Sequence, residues 1–240
     1  MRIDKYIVDN YNLSRTKAQQ MLKESMIAVN GKIVTKPAFD VSEFDKIDIL
    51  NTFSFASLGG DKLEKAINDF HYNLSDKICV DIGASNGGFT DCMLQHGAKK
   101  VFAVDVGECA FNDNLKNDPR VIVKDRTNAR YLTYNDLGEK CDFSSVDVSF
   151  ISLKLILPTV YNVLKNGGDA ICLIKPQFEV GSKYLSKKGL VLDNKVRNNV
   201  TEDIKEFAVS LGFEFKGITT APIKEHKNVE FLIYIHKSIE

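Results

Sequence analysis

The sequence predicts an α/β protein in two parts: a doubly wound, mostly parallel sheet over residues 62–240, a small α+β domain over residues 1–50 in front of it, and a linker over 51–61. Three observations carry this reading. From residue 77 onward, short β-branched runs alternate with amphipathic stretches. Before residue 50 the periodicity is that of two short helices and a hairpin. Between them NTFSFASLGGDK (51–62) mixes small, polar and aromatic residues with neither period. At 240 residues the chain is long enough for one sizeable core and a satellite domain.

In order, Ile3, Ile7 and Tyr11 repeat at helical spacing, and Ser14 stands as the N-cap of a second helix with Ala18, Met21 and Leu22 on one face. IAVNGKIV (27–34) sets Asn30-Gly31 between β-formers, a type I′ hairpin signal, and Lys46 to Leu50 supplies a further strand. Beyond the linker, KICVDI, KVFAVDVG, RVIVKD, VDVSFI and DAICLIKP read as strands of the parallel sheet, mostly followed by a loop and a helical stretch. A helix over 194–211 precedes FEFKGIT and VEFLIYIH, two runs close enough in sequence to suit an antiparallel edge.

Composition excludes some function classes. No apolar run approaches the roughly 18 residues of a membrane span, and the opening MRIDKY lacks the apolar stretch of a signal peptide, so a cytoplasmic protein without a membrane partner is expected. Cys79, Cys92, Cys109, Cys141 and Cys172 show no CxxC spacing and read as reduced core thiols, with no metal site. Zero net charge argues against nucleic-acid binding through bulk charge, but residues 1–36 carry seven Lys or Arg against Asp4, Asp9 and Glu24.

Open α/β sheets bind ligands at the carboxyl ends of their strands. In VDIGASNGGFTDC (80–92), Asp81 ends the first strand of the second part, and Gly83, Gly87 and Gly88 permit positive φ and close backbone approach to a ligand, with Ala84, Ser85 and Phe89 in the same loop. The dinucleotide fingerprint needs glycine where Ser85 stands, which disfavours a pyrophosphate cofactor. Asp105, followed by Val106, ends the second strand where such folds hold ribose hydroxyls, and Asp125 ends the third within reach of an adenine edge. Any one of these acids alone reads equally as a solvated strand end. Three in strand order behind a glycine loop point to an adenosyl ligand. Held by acids and lacking a pyrophosphate, that ligand reads as S-adenosylmethionine, whose sulfonium suits carboxylates.

DIGASNGGFTDC, VFAVDVG, DRTNAR, DVSFISL and LIKPQFE, in that order, resemble the TlyA or hemolysin A family, and RIDKYIVDNYNLSRTKAQQMLKESMIAVNGK resembles an S4 domain in its own right. The resemblance covers nearly the whole chain. It implies an S4-like RNA-binding domain ahead of an FtsJ-like, Rossmann-like class I methyltransferase domain. The implied activity is S-adenosylmethionine-dependent 2′-O-methylation of cytidine in 16S or 23S rRNA, with rRNA or ribosomal subunits as partners and no obligate protein partner. The family's Lys-Asp-Lys-Glu tetrad falls on Lys62 in GGDKLEKA, Asp147 in VDVSF, Lys175 in LIKPQFE and Glu230 in NVEFL, with Asp147 also beside the cofactor. Lys175 is then the base or the stabiliser of a developing alkoxide, and the two acids orient the lysines. Arg2, Lys5, Arg15, Lys17 and Lys23 are placed to meet RNA phosphates, which position a substrate without reading its sequence.

The chain departs from the family at Ser57-Leu58-Gly59-Gly60, where an arginine is usual, and at APIKEHKNVEFL, usually richer in glycine. Taken without the resemblance, Lys62 reads as an exposed helix lysine and Glu230 as an edge residue. Two other functions compete: a non-catalytic RNA-binding or assembly factor, and a cytolysin, which the absence of a long apolar or strongly amphipathic membrane segment disfavours.

Overall fold

The computed structural model describes residues 1–11, 13–50, 54–223 and 227–239. The chain divides into two compact units, Met1–Phe53 and Ser54–Glu240.

The first unit packs α1 (Ile3–Tyr11) and α2 (Arg15–Lys23) with a small sheet of β1 (Ile27–Val29), β2 (Lys32–Ile33) and β3 (Ile47–Ile49). Ser14 caps α2, its hydroxyl accepting the Lys17 N–H at 3.2 Å. Asn30 and Gly31 have φ of 50° and 75°, the paired positive values of a type I′ turn, and β2 and β3 pair antiparallel with opposite sides of β1. Ile3, Ile7, Ala18, Met21, Leu22 and Ile27 are buried between the helices and the sheet, as their spacing predicts.

The second unit comprises α3 (Gly59–Phe70), β4 (Ile78–Ile82), α4 (Gly88–Gln95), β5 (Lys100–Val104), α5 (Asp113–Lys116), β6 (Val121–Lys124), α6 (Tyr134–Leu137), β7 (Cys141–Val146), α7 (Leu157–Val163), β8 (Leu164–Ile174), α8 (Pro176–Glu179), α9 (Asn194–Ser210), β9 (Phe213–Thr220) and β10 (Phe231–Lys237). Its sheet has the order β6-β5-β4-β7-β8-β10-β9, with β4 to β8 parallel and β10 running antiparallel between β8 and β9. The order reverses at β4 and β7, which opens a crevice at their carboxyl ends. Side chains alternate between faces. Val80, Ile82 and Val104 share a core with Val160 of α7 and Ile204 of α9, while Cys79, Val101 and Phe143 pack with Leu63 of α3 and Met93 of α4.

Two local readings change. VDVSFI is not a strand: β7 is the preceding CDFSSV and stops at Val146. Ser144 and Ser145 are fully buried there, and their polarity hides the strand from a hydrophobicity reading. Of the expected linker, residues 51–53 lie outside the described residues, and Gly59 to Asp61 form the first turn of α3. Two glycines weaken a helix locally, but a Cβ on Gly60 would lie 2.4 Å from Phe55, so packing overrides propensity.

Candidate active site

Four segments converge at the crevice. Asp147 follows β7, its N–H donating to Ile82 O at 2.9 Å, which fastens it beside the glycine loop after β4. Lys175 follows β8, where Pro176 turns the chain into α8. Glu230 precedes β10, whose first residue Phe231 pairs with Ile174, so the antiparallel strand returns Glu230 to the tip of β8. Lys62 projects from the first turn of α3.

The four side chains form a continuous charge network. Lys62 Nζ lies 2.7 Å from Glu230 Oε2 and 4.0 Å from Asp147 Oδ2. Lys175 Nζ lies 2.6 Å from Asp147 Oδ1 and donates a hydrogen bond to Ser149 Oγ at 2.8 Å. Gln177 Nε2 donates to the other Glu230 oxygen at 3.1 Å, so that carboxylate is held on both sides. The Lys175 side chain is only 11% exposed, a burial that an ammonium tolerates because these partners surround it. The structure therefore assembles the tetrad, with the partners Ser149 and Gln177 unforeseen although both stand inside motifs already singled out.

The loops after β7 and β8 are zipped together. Besides Ser149 to Lys175, Phe150 stacks on Phe178 at 4.9 Å, and Glu179 accepts from Ser152 Oγ at 2.6 Å and Leu153 N at 2.7 Å. Phe150 has a φ of 62° and is 89% exposed. A bulky side chain in the left-handed region and in water is doubly unfavourable, and such outliers concentrate at functional sites.

The glycine loop differs from the sequence reading in what its residues face. Asp81 is wholly buried, accepting from Thr90 Oγ1 at 2.6 Å and Ser145 Oγ at 3.0 Å. Burial pushes its carboxyl up to about 7, against the downward pull of those two hydroxyls. Phe89 lies in the core beneath α3, and a Cβ on Gly88 would meet Ser57 Oγ at 2.3 Å, so both serve the packing of α3 on α4. Ala84 and Gly87 are buried as well. Ser85, Asp105, Val106 and Asp125 retain exposure and line the rim, with Gly83 half-buried between them.

The loop amides turn inward. Gly83 and Ala84 both donate to Val104 O, Gly87 to Ala84 O, and Ser85 to Asp105 Oδ2 at 2.9 Å. Amides spent in this way cannot cradle a pyrophosphate. Asp105 Oδ1 accepts Gly107 N at 2.8 Å, and each of its oxygens keeps a further lone pair for a ribose hydroxyl. Exposed Val106 adds an apolar surface beside it, and Asp125 is anchored by Cys109 N at 2.7 Å. This donor set fits an uncharged adenosyl group.

Asp81 yields a test of its own. Its carboxyl is raised in the fold relative to about 4 unfolded, so between those values the native state keeps a proton that the unfolded chain has lost, and stability falls as pH rises from about 4 to 7. Asp81→Asn removes this dependence. Relative to the wild type it is expected to gain about 2–3 kcal/mol between pH 5 and pH 8, measured by denaturant unfolding at the two pH values; a constant difference would contradict the assignment.

One group among the described residues brings metal-donor atoms together: Glu64 of α3 with Cys92 of α4 and His96 at its C-terminal cap. Burial pushes the Cys92 thiol up, and it donates to Glu64, which also pairs with His96. The trio ties α3 to α4.

In the first unit, Arg2 binds both oxygens of buried Asp4, at 3.0 and 2.9 Å, and Arg15 and Gln19 reach the same carboxylate. These bonds, Arg2's foremost, hold Asp4 well below the usual carboxylate range. Two of the predicted RNA contacts are thus gathered on one carboxylate. Lys5 and Lys23 are exposed, and Lys23 stands eight residues along α2 from Arg15, about 12 Å away.

Known proteins match both units. The S4 domain profile covers residues 1–47 and that of the FtsJ-like methyltransferases residues 55–237. Hemolysin A of Brachyspira hyodysenteriae is 38% identical over 237 residues, 98% of this chain and 99% of the relative. The 16S/23S rRNA (cytidine-2′-O)-methyltransferase TlyA of Mycobacterium tuberculosis is 34% identical over 225 residues, 92% of this chain and 84% of the relative. A solved structure from Streptococcus thermophilus that carries the name hemolysin superposes with a TM-score of 0.79 at 37% identity, covering 99% of this chain and 88% of that one. Relatives of this similarity, matched nearly end to end, place the chain in the TlyA and hemolysin A family of S-adenosylmethionine-dependent, FtsJ-like methyltransferases with an N-terminal S4 domain.

Proposed function

We propose that the chain methylates the ribose 2′-hydroxyl of a cytidine in ribosomal RNA, in the 16S species, the 23S species or both. Lys62, Asp147, Lys175 and Glu230 carry the chemistry, and the S4 unit holds the RNA. The supporting observation is the cluster itself: two ammoniums and two carboxylates from four segments meet beside a loop whose Gly83, Ala84, Ser85 and Gly87 amides are already engaged within the protein. The name of the Mycobacterium tuberculosis relative concerns cytidine in both rRNAs. Among the described residues no helix is long and apolar enough to cross a membrane.

S-adenosylmethionine, when bound, supplies a methyl group on a positively charged sulfur. Asp105 would hold its ribose, and Val106 and Asp125 would hold its adenine. A 2′-hydroxyl is a weak nucleophile at neutral pH and must be both aligned and relieved of its proton. Lys175, its Nζ fixed by Asp147 and Ser149, meets that oxygen: after losing a proton of its own to solvent it takes the hydroxyl proton as the free amine, or as the ammonium it pairs with the alkoxide whose proton has passed to water. Glu230, fixed by Gln177, anchors Lys62, whose second carboxylate neighbour is Asp147. The four formal charges sum to zero, so no net field opposes the incoming polyanion.

Phe150 stacks the target base once it has left the helix, with Phe178 bracing it from below. Stacking on an aromatic ring contributes about 1–3 kcal/mol per base. Phe150→Ala is expected to lower kcat/KM for RNA by about tenfold or more at unchanged donor affinity, with Phe150→Tyr close to wild type; steady-state assays with both variants check this. The reading as a whole is tested by transfer of labelled methyl to ribosomal subunits and bare rRNAs, followed by mapping of 2′-O-methylation. One new protected cytidine supports it, and no transfer to any of these substrates would overturn it.

A further inference from the structure

The segment from Gly181 to Arg197 carries Lys183, Lys187, Lys188, Lys195 and Arg197 against the single acid Asp193, in a chain whose net charge is zero. Asp193 is already engaged as the N-cap of α9, accepting Lys195 N at 2.7 Å. Elsewhere the surface lysines tend to have acidic neighbours: Lys46, Lys100, Lys165, Lys205 and Lys216 each lie within 3.0 Å of a carboxylate oxygen. Lys187 and Lys188 are exposed and have no such partner among the described residues.

These two lysines occupy the centre of a built turn. Gly189 N donates to Ser186 O at 2.8 Å and Ser186 N to Leu190 O at 2.9 Å, and the Ser186 hydroxyl accepts Leu190 N at 3.1 Å. Gly189 closes the turn with a φ of 73°. Asn228 clamps its base, donating to Gly189 O at 3.0 Å and accepting Val191 N at 2.8 Å, and Arg197 donates to Val191 O at 3.2 Å. Asn228 stands two residues before Glu230, at most about 7 Å of backbone, and the segment leaves α8 directly after Lys175 and Gln177. A hydrogen-bonded cationic tip, with no carboxylate partner among the described residues, is thereby fastened to the half of the sheet that carries Lys175 and Glu230. The donor half, at β5 and β6, mixes the acids Asp105, Glu108 and Asp125 with Arg126, which pairs with Glu108.

We propose that the Ser186–Gly189 turn is an RNA-backbone site on the methyltransferase unit, in which Lys187 and Lys188 take phosphodiesters flanking the methylated nucleotide. This rests on the rRNA reading above. The two adjacent lysines draw the strand toward the half of the sheet that carries Lys175 and Glu230. Asn228 passes the contact to the segment that presents Glu230.

The test is Lys187→Glu/Lys188→Glu in the full chain, assayed with the rRNA or subunit that the wild type methylates. Two lost phosphate contacts are expected to raise KM for RNA about tenfold near 0.15 M salt and to make the log–log salt dependence shallower by about two, with donor affinity and Tm unchanged. Lys187→Arg/Lys188→Arg is expected to restore both values, and Lys187→Gln/Lys188→Gln serves if charge reversal lowers Tm. A wild type that binds donor but methylates no RNA defeats the rRNA reading itself. A methylating wild type whose glutamate and glutamine variants keep its KM and salt slope overturns the turn's role alone, as does loss of binding to anionic phospholipid vesicles at unchanged RNA KM.

Discussion

Lys175→Ala is expected to reduce methyl transfer to rRNA by about 10³-fold or more at saturating donor, with donor affinity changed by less than about threefold. The magnitude combines the loss of a proton acceptor or alkoxide partner, typically about 10²–10⁴ in rate, with the disturbance of what surrounds it. Lys175 Nζ is the near cation of Asp147, since Lys62 lies 4.0 Å from the other Asp147 oxygen, and it is the donor to Ser149. Removing it leaves a carboxylate, 20% exposed, beside the position of the reacting oxygen, where its charge opposes an alkoxide. The proposed donor contacts Asp105 and Val106 follow a different strand, β5, and are expected to be unaffected. Lys175→Arg is not expected to rescue, because a planar fork cannot occupy the site of a compact ammonium between Asp147 and Ser149. Single-turnover transfer beside donor titration separates the two effects, and an undiminished rate in Lys175→Ala would remove Lys175 from the mechanism.

Gly83→Ala is expected to cost both donor binding and transfer. A Cβ there would lie 2.3 Å from the Asp147 carbonyl oxygen and 2.9 Å from its carbon, with φ at +90°. The obstacle is backbone, and that backbone is itself fastened by the Asp147 N–H to Ile82 O bond. Either the donor loop or the tetrad's aspartate must move. Steric displacement on top of an unfavourable φ is expected to cost about 3 kcal/mol or more, lowering Tm by roughly 6–12 °C. Gly138→Ala separates the two contributions: its φ is +88° but nothing lies within 4 Å of the added Cβ, so it should cost only about 1 kcal/mol and leave the donor site intact. Equal Tm losses in the two variants would show that close approach to Asp147 is not what requires glycine at position 83.

Where the sequence expressed structure through local period, it was legible. The Ser14 cap, the Asn30-Gly31 turn and the strands at 78–82, 100–104 and 121–124 depend on few neighbours and emerge as read. The donor loop was legible as a location but not in its facing. Asp81 shares parity with Cys79, and both point toward α4, so a strand-end acid that looks like a ligand contact is a buried prop for Thr90 and Ser145. β7 was misplaced because its two inward serines break the apolar signal. The tetrad could not be read from residues alone: Lys62 and Glu230 are 168 positions apart, and each is an ordinary surface residue until the fold joins them. Ser149, Phe150, Gln177 and Glu179 escaped individual notice for a related reason. The pairings of Ser149, Phe150 and Glu179 arise because β7 and β8 lie side by side and parallel, and that of Gln177 because β10 returns Glu230 to the tip of β8.

The position of β10 between β8 and β9 has a consequence for when the enzyme exists during its synthesis. The donor loop, Asp147 and Lys175 all precede the last quarter of the chain, but Glu230 reaches Lys62 only when β10 has inserted between two earlier strands. A chain stopped before residue 228 retains the residues of the adenosyl pocket and lacks the clamp on Lys62. Such a chain is expected to transfer no methyl group, so the strand that follows all others of its sheet in the sequence is also the one that completes the tetrad.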